Sequence, residues 1–316
     1  MNTIAIDLGG TVIKAGLLQE HKLILSRESE VASNRGLRQT LSLIENLILN
    51  MLKDSGLSLS EISGIGFSFP GLVDSKQNLV LSTSQKYDDA IGLNLNQWSH
   101  ETLKLPLFLE NDARMALLGE WKHGAAKGCE NMVMVTLGTG IGSAVLIEGR
   151  LLRGKHFQAG NLGGHFIVNH RGTACTCGGS GCVESEASTW RLPELLRNHN
   201  NFNQSSIKDE EILDFRALFS HAKNKDKVAM DVLDHCFSAW GAGLVSMIHA
   251  FDPEMIVLSG GIMKSSHIII PALQEKIDLL AWTPWGKVKL VIAKFPDSAA
   301  LYGCDYLVHS NIENEN

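Results

Sequence analysis

The alternation of short apolar runs with stretches of helical periodicity predicts an α/β protein built on two sheets. Two further observations divide it. At 316 residues the chain is long enough for about two domains, each able to bury its own core. The strand–glycine turn–strand pattern that opens the chain also recurs in its middle. At an offset of 129 residues, Ile4 falls on Val133, Ile6 on Val135, Leu8 on Leu137, Gly9 on Gly138 and Leu17 on Leu146. This points to an internal duplication; a chance likeness of two common hairpins is the alternative.

The elements follow in order. Residues 3–8 read as a buried strand turned by Gly9-Gly10-Thr11, and Val12–Leu18 and Lys22–Arg27 extend it into an antiparallel meander. Leu41, Ile44, Leu47, Ile48 and Met51 share one face of a helix over Leu37–Lys53. Ile62–Phe69 is an apolar strand stopped by Pro70-Gly71, and residues 75–92 are polar and expected to be irregular. A helix over Leu93–Leu103 and a short strand, Leu107–Leu109, precede a helix that runs to about Trp121 with Asn111 as its N-cap. The domain boundary is expected near Gly119–Asn131. The second half restarts with a strand over Met132–Leu137, the turn Gly138-Thr139-Gly140, and a strand over Ser143–Ile147. Helices are expected over 186–198 and 225–250, a strand over Glu254–Leu258, a helix from Ser266 and a strand over Val288–Ile292. Pro296–His309 reads as a last helix, and the polar tail Ser310–Asn316 is expected to fray.

Composition excludes several classes. Lys+Arg 28 against Asp+Glu 34 gives a net charge of −6 with no basic stripe, so nucleic acid is not an expected partner. Asp7 and Lys14 interrupt the apolar N-terminus, which does not read as a signal peptide. No apolar run is long enough to span a membrane, and a cytoplasmic location is expected.

Three motifs carry chemistry. The first is His165-x9-Cys175-x-Cys177-x4-Cys182, with Glu184 two residues further on. Three thiolates and one imidazole complete a tetrahedral zinc set and leave no position open, which makes the site structural. Disulfides, or small buried side chains that happen to be close, are the alternatives; Cys175 and Cys177 are too close for easy bridging, and nothing else suggests an oxidising compartment. Cys129, Cys236 and Cys304 are scattered and are expected in the core.

The second motif is a glycine-rich turn after an apolar strand, present three times: Asp7-Leu8-Gly9-Gly10-Thr11, Leu137-Gly138-Thr139-Gly140-Ile141-Gly142 and Leu258-Ser259-Gly260-Gly261. Glycine lets backbone amides approach phosphate oxygens, and Thr11 and Thr139 add hydroxyl donors. One such turn is no more than a tight hairpin. Three of them, with Asp7 placed to hold Mg²⁺ through water, point to a nucleotide cleft. The third motif, Glu110-Asn111-Asp112, offers a base for an acceptor hydroxyl: Asp112 falls in a first helical turn, where the dipole favours its anion. Its structural alternative is that it only stabilises that helix start.

With these residues in view the chain resembles the ROK family of bacterial sugar kinases and repressors, within the actin/hexokinase-like ATPase superfamily. The likeness rests on Asp7–Thr11, Gly66–Asp74, Glu110–Ala113, Leu137–Gly142, the Gly164–Glu184 cluster and Leu258–Gly261. It implies a duplicated, two-domain ribonuclease H-like fold with the active site in the interdomain cleft. The last helix would return to the N-terminal domain, giving domains over 1–120 plus 296–316 and over 121–295. Asp112 would be the general base that takes the proton of a sugar hydroxyl, usually the 6-OH of a hexose, as it attacks the γ-phosphate of ATP bound with Mg²⁺. Asn111, His165 and Glu184 would bind sugar hydroxyls, with Gly71 lining the pocket. Thr11, Thr139 and Gly140 would contact phosphates, with Gly9, Gly10 and Gly138 shaping those turns, and Gly260 and Gly261 would lie on the adenosine side. Lys14 stands where the family often has Arg or Lys. His165 would serve zinc with one ring nitrogen and a sugar hydroxyl with the other. The resemblance also implies a homodimer or homotetramer.

The chain departs from the family pattern on the sugar side. The family usually has Glu three residues before the zinc His, and Leu162 stands there, beside Asn161. Residues 82–92 lack the Asn-Leu-x-x-Trp stretch of many members. An ordinary glucokinase is therefore somewhat disfavoured, and a kinase for a modified sugar, an amino sugar or a β-glucoside is the alternative expected. A repressor is not: the first strand begins at about Thr3, which leaves no room for a winged helix-turn-helix. A sugar-binding protein without kinase activity is the remaining alternative.

Overall fold

The computed structural model describes residues 1–83 and 86–315 and divides the chain into two compact units. The first comprises Met1–Gly128, Arg153–Gln158 and the stretch from Lys294 onward; the second comprises Cys129–Leu152 and Ala159–Ala293.

The first unit opens with β1 (Asn2–Leu8), β2 (Val12–Gln19) and β3 (Lys22–Glu30), the antiparallel meander read from the sequence. Helix α1 (Leu37–Ser55) follows, capped at its C-terminus by Gly56 in the left-handed conformation. Then come β4 (Ile62–Phe69), β5 (Gly71–Asp74), β6 (Leu79–Thr83), α2 (Leu95–Thr102), β7 (Leu107–Asn111) and α3 (Asp112–Lys122). The sheet order is β3-β2-β1-β4-β7, with β4 and β7 parallel to β1. The stretch from residue 75 is not wholly irregular: β6 pairs antiparallel with β5. That hairpin escaped the sequence because Leu79-Val80-Leu81 is a short apolar island among polar residues. Ser84 and Gln85 of the same stretch lie outside the described residues.

The second unit repeats this order. Its strands are β8 (Met132–Leu137), β9 (Ile141–Ile147), β10 (Arg150–Leu151), β11 (Met255–Ser259) and β12 (Lys289–Ile292), arranged β10-β9-β8-β11-β12. β9 and β10 run antiparallel and β11 and β12 parallel, as in the first unit. The duplication is therefore topological, but its register is not uniform. Ile4 pairs with Leu17, whereas Val133 pairs with Val145. The counterpart of Leu17 is Val145 and not Leu146, because the second turn is one residue shorter. β9 starts at Ile141, two residues before the expected Ser143.

The helices of the second unit are α4 (Val183–Ala187), α5 (Leu192–Arg197), α6 (Phe215–Lys223), α7 (Lys227–Phe251) and α8 (Ser266–Leu280). The single helix expected over 186–198 is split between α4 and α5. Ser188 leaves the helical region, and Pro193, which lacks an N–H, fits only in the first turn of α5. Helix α6 was not expected, although Asp214 caps it by accepting from the Ala217 N–H at 2.8 Å. Helix α7 forms the centre of this core, with Trp240 buried and donating to the Ala187 carbonyl at 2.9 Å. Cys129, Cys236 and Cys304 are buried, as expected.

The last helix, α9 (Ala299–Glu315), belongs to the first unit. It starts three residues later than expected and does not fray at Ser310; the helix runs on to Glu315. Helices α3 and α9 cross at two glycines. A Cβ on Gly119 would lie 1.9 Å from the Ala299 carbonyl oxygen, and one on Gly303 would lie 1.9 Å from that of Met115. Neither backbone oxygen can move without parting the helices. Gly303→Ala is therefore expected to cost about 1–3 kcal/mol or more by overpacking, readable as a lower denaturation midpoint; an unchanged midpoint would contradict this contact.

Candidate active site and metal loop

The first two glycine-rich turns share one construction. In the first, the carbonyls of Gly9, Gly10 and Thr11 are all taken: Tyr87 Oη donates to Gly9 at 2.7 Å, the Ser33 N–H to Gly10 at 3.2 Å and the Val31 N–H to Thr11 at 2.8 Å. In the second, Thr189, Trp190 and Gly138 N–H groups donate to the carbonyls of Gly138, Thr139 and Gly140. Among the described residues, the amides of Gly10, Thr11, Thr139 and Gly140 donate to nothing. Anchored carbonyls and free amides are what an anion needs. Gly9 is required, since a Cβ there would sit 2.6 Å from the Val12 carbonyl oxygen. In the third turn, Gly260 has φ 99 and its Cβ would lie 2.2 Å from the Leu137 oxygen, while nothing lies within 4 Å of a Cβ on Gly261.

Asp7 lies one residue before the end of β1, and its Oδ1 accepts from Ser68 Oγ at 2.7 Å. Burial pushes its carboxyl above the usual range, opposed by Ser68 and the Lys14 charge. Lys14 itself turns elsewhere: its ammonium donates to the Asp297 carbonyl at 2.9 Å and pairs with Glu28 at 3.7 Å.

Asp112 begins α3, and Asn111 caps that helix as the sequence indicates. Asn111 Oδ1 accepts from the Arg114 N–H at 3.2 Å; its Nδ2 donates to the Gly71 carbonyl at 3.0 Å and to Asp112 Oδ1 at 2.9 Å. Gly71, Asn111 and Asp112 thus form one hydrogen-bonded group. Asp112 Oδ1 also accepts from the Ala113 N–H at 2.8 Å. Solvent reaches the residue, yet the protein crowding its carboxyl desolvates it enough to push its pKa up to about 6, with the Asp7 charge adding to the rise. The Ala113 amide, the Lys86 ammonium and Asn111 oppose it. A carboxylate of this kind is anionic at neutral pH yet basic enough to accept a proton.

In the second unit the four metal candidates converge. The donor atoms of His165, Cys175, Cys177 and Cys182 all lie within 4.8 Å of one another. His165 Nδ1 is 3.5 Å from Cys175 Sγ, and Cys177 Sγ is 3.7 Å from Cys182 Sγ. A zinc–sulfur bond of about 2.3 Å gives a tetrahedral edge of about 3.8 Å, so the residues fit zinc. The loop is shaped to bring them there. Gly181, at φ 69, carries no Cβ because one would lie 1.7 Å from the Asn169 oxygen. Glu186 accepts from the Thr173 N–H and from Asn169 Nδ2. Glu184 joins this loop to the second glycine-rich turn, its Oε2 accepting from the Ile141 N–H at 2.8 Å.

The sequence named Glu110 and Asn161 but not their contacts, and it did not single out Arg114, Arg153 or Lys86. Glu110, fully buried, pairs with Arg153 at 2.8 Å and with the equally buried Arg114 at 3.6 Å, directly behind Asn111 and Asp112. Arg114 also donates to the Phe157 carbonyl at 2.9 Å. Lys86 extends along the first turn: its Cε would be 3.0 Å from a Cβ on Gly10. Asn161 Oδ1, next to exposed Leu162, is buried with no hydrogen-bond partner. Of the residues missed, Tyr87 alone carries a local signal, an aromatic ring in an otherwise polar stretch.

Comparison with known proteins places the chain. The ROK family model matches residues 3–311, and the chain belongs to the ROK family. Its fold is the duplicated actin/hexokinase-like one expected from the sequence. It is 29% identical to the glucokinase of Thermotoga maritima over 99% of this chain and 98% of that one. The ROK hexokinase structure from Thermus thermophilus matches with a TM-score of 0.80 at 27% identity, covering 99% of this chain and 100% of that one. The xylose repressor of Bacillus subtilis is 26% identical over 90% of this chain and 68% of its own length. Among the described residues, no helix is long and apolar enough to cross a membrane.

Proposed function

We propose that this protein is an ATP-dependent sugar kinase that phosphorylates a hydroxyl, the 6-OH, of a hexose or hexose derivative. The observation that carries the reading is Asp112, a carboxylate poised at about 6 and oriented by Asn111 and Ala113 in the unit that also holds Asp7 and the first phosphate turn. A protein that only senses sugar has no need of a base so tuned. The relatives named glucokinase and hexokinase support the same class.

Asp112 takes the proton as the sugar oxygen bonds to the γ-phosphorus and the bond to the bridging oxygen of ADP breaks. The amides of Gly10, Thr11, Thr139 and Gly140, with the hydroxyls of Thr11 and Thr139, hold phosphate oxygens, and Gly9 and Gly138 give the turns their shape. Gly260 and Gly261 leave room on the adenosine side. Asp7 is the carboxylate that would hold Mg²⁺ through water, and that ion would supply neutralising charge to the phosphates. Lys86, beside Gly10, adds a mobile positive charge for the transferring group, and Lys14 tempers the Asp7 charge. Gly71, Asn111, His165 and Glu184 contact the sugar. His165 Nδ1, the nitrogen beside Cys175 Sγ, would hold zinc, which would leave Nε2 as a donor to a hydroxyl.

The acceptor differs from a plain glucokinase substrate in one respect. Leu162 offers no carboxylate, while Asn161 Oδ1 waits for a donor, which favours an amino sugar or a β-glucoside. Coupled ADP release across hexoses, amino sugars and β-glucosides tests the reading. Sugar-dependent ADP release is expected; none with any member of the panel would leave only a sugar-binding role.

Two outcomes follow from the geometry. Because Asp112 works deprotonated, kcat/KM for the sugar is expected to be level at neutral pH and to fall with decreasing pH through an inflection near 6, approaching about tenfold per pH unit below it. A profile flat down to pH 5 would remove Asp112 as the base. Zinc removal, or Cys177→Ser, is expected to raise the sugar KM severalfold while the ATP KM changes little. Steady-state kinetics of metal-free protein check this, and an unchanged sugar KM would uncouple the loop from the sugar.

A further inference from the structure

A second cluster of metal-ligating side chains lies in the first unit, apart from the phosphate turn and from Asp112. His21 sits at the β2–β3 turn, His123 ends α3, and Asp305 and His309 lie one turn apart on α9. Candidate ligand atoms of His21, His123 and Asp305 all fall within 4.8 Å of one another. Asp305 Oδ2 is 2.7 Å from His21 Nδ1, and Oδ1 is 3.4 Å from His309 Nε2. The rings of His21 and His309 are 4.4 Å apart, those of His21 and His123 5.6 Å.

We infer that His21, His123 and Asp305, with His309 available as a fourth ligand, bind one divalent transition-metal ion of the zinc class.

The Asp305 carboxylate is 0% exposed, and a buried carboxylate needs a compensating positive charge. The side chains facing it are imidazoles. Three rings this close cannot all be protonated, since like charges would meet at van der Waals distance. A metal ion supplies the charge and takes neutral imidazoles as ligands. Two atoms of the cluster also have unmet bonding capacity: Asp305 Oδ1 and His309 Nε2 are buried and make no hydrogen bond. The backbone contributes too, since Glu20 and His21 adopt φ 48 and φ 63, and this left-handed pair at the tip of the β2–β3 turn accompanies the placement of His21 over α9. Closing the donor atoms to the tetrahedral edge of about 3.3 Å expected for nitrogen and oxygen ligands needs only side-chain adjustment.

The donor set selects the ion. Imidazole with carboxylate suits Zn²⁺, Co²⁺ or Ni²⁺ and offers too few oxygens for Mg²⁺ or Ca²⁺. It also lacks the thiolates of the Cys175–Cys182 loop, so the two sites differ spectroscopically. Bound metal would join the β2–β3 turn, the C-terminal end of α3 and the middle of α9 at one point.

Cobalt titration of chelator-treated protein separates the sites. Wild type is expected to bind two equivalents of Co²⁺, one with intense near-ultraviolet thiolate-to-cobalt charge transfer and one without it. The His21→Ala/His123→Ala protein should lose the second equivalent and keep the first, and His21→Ala alone, at a half-exposed turn residue, should weaken the second at least tenfold. Cys177→Ser should do the reverse. Saturation of wild type by the charge-transfer equivalent alone would overturn the inference, as would two equivalents retained by the double variant.

Discussion

Asp112→Asn is expected to lower kcat by about a hundred- to ten-thousand-fold. The asparagine preserves the volume of the side chain, and its Oδ1 can still accept from the Ala113 N–H and from Asn111 Nδ2, the two bonds that position Asp112. What it loses is the ability to take a proton. ATP affinity should be unchanged or slightly higher, because the substitution removes a negative charge that acts on Asp7. Steady-state turnover and nucleotide titration on one preparation read the two effects separately. Loss of ATP binding together with turnover would show a disrupted unit and not a missing base, and turnover within threefold of wild type would end the assignment.

Glu110→Gln is expected to destabilise the protein by about 3–5 kcal/mol, the cost of removing one partner from a buried ion pair. Glu110 and Arg114 are both 0% exposed, and Arg153 reaches the same carboxylate. Glutamine fills the same space and can still accept from the Asn111 N–H, a bond Glu110 Oε1 makes at 2.9 Å. The loss is therefore one of charge: the Arg114 guanidinium stays in place without its carboxylate. Urea unfolding of the variant measures it. A shift below about 1 kcal/mol would be the value of an exposed pair and would contradict the burial of this one.

The residues that could be read from the sequence are those whose chemistry is local. The thiols of Cys175, Cys177 and Cys182 lie within eight residues, so their spacing alone proposed a metal loop, and His165 lies only ten residues upstream. Asn111 and Asp112 follow an apolar strand, and the capping role of Asn111 is a property of adjacent positions. Repeated strand and turn signals likewise exposed the duplication. Its register was not legible, since the equivalence of Leu17 and Val145 depends on the length of a turn that one-dimensional alignment cannot weigh. Long-range pairing escaped for a similar reason. Nothing near Glu110 announces Arg153, and nothing near His21 announces Asp305; each pair exists only because the strands and helices carrying them pack together. Lys86 is ordinary in sequence and acquires a role only through its position along Gly10. Helix α6 was missed although its signals are local: Asp214 caps it, Arg216, Ala217, Leu218 and Lys223 favour helix, and Phe215, Leu218 and Phe219 are buried. The continuation of α9 to Glu315 was missed because Ser310 and Asn311 favour caps and turns when read alone.

Phosphorus-31 NMR of the reaction mixture tests the central claim most directly. With ATP, Mg²⁺ and the best acceptor of the sugar panel, a new phosphomonoester resonance is expected, split by the two protons of a C6 methylene and growing in step with ADP. The same mixture with Asp112→Asn protein should show no such resonance over the same interval. Inorganic phosphate as the only product, or a monoester formed at the same rate without the Asp112 carboxylate, would contradict the account.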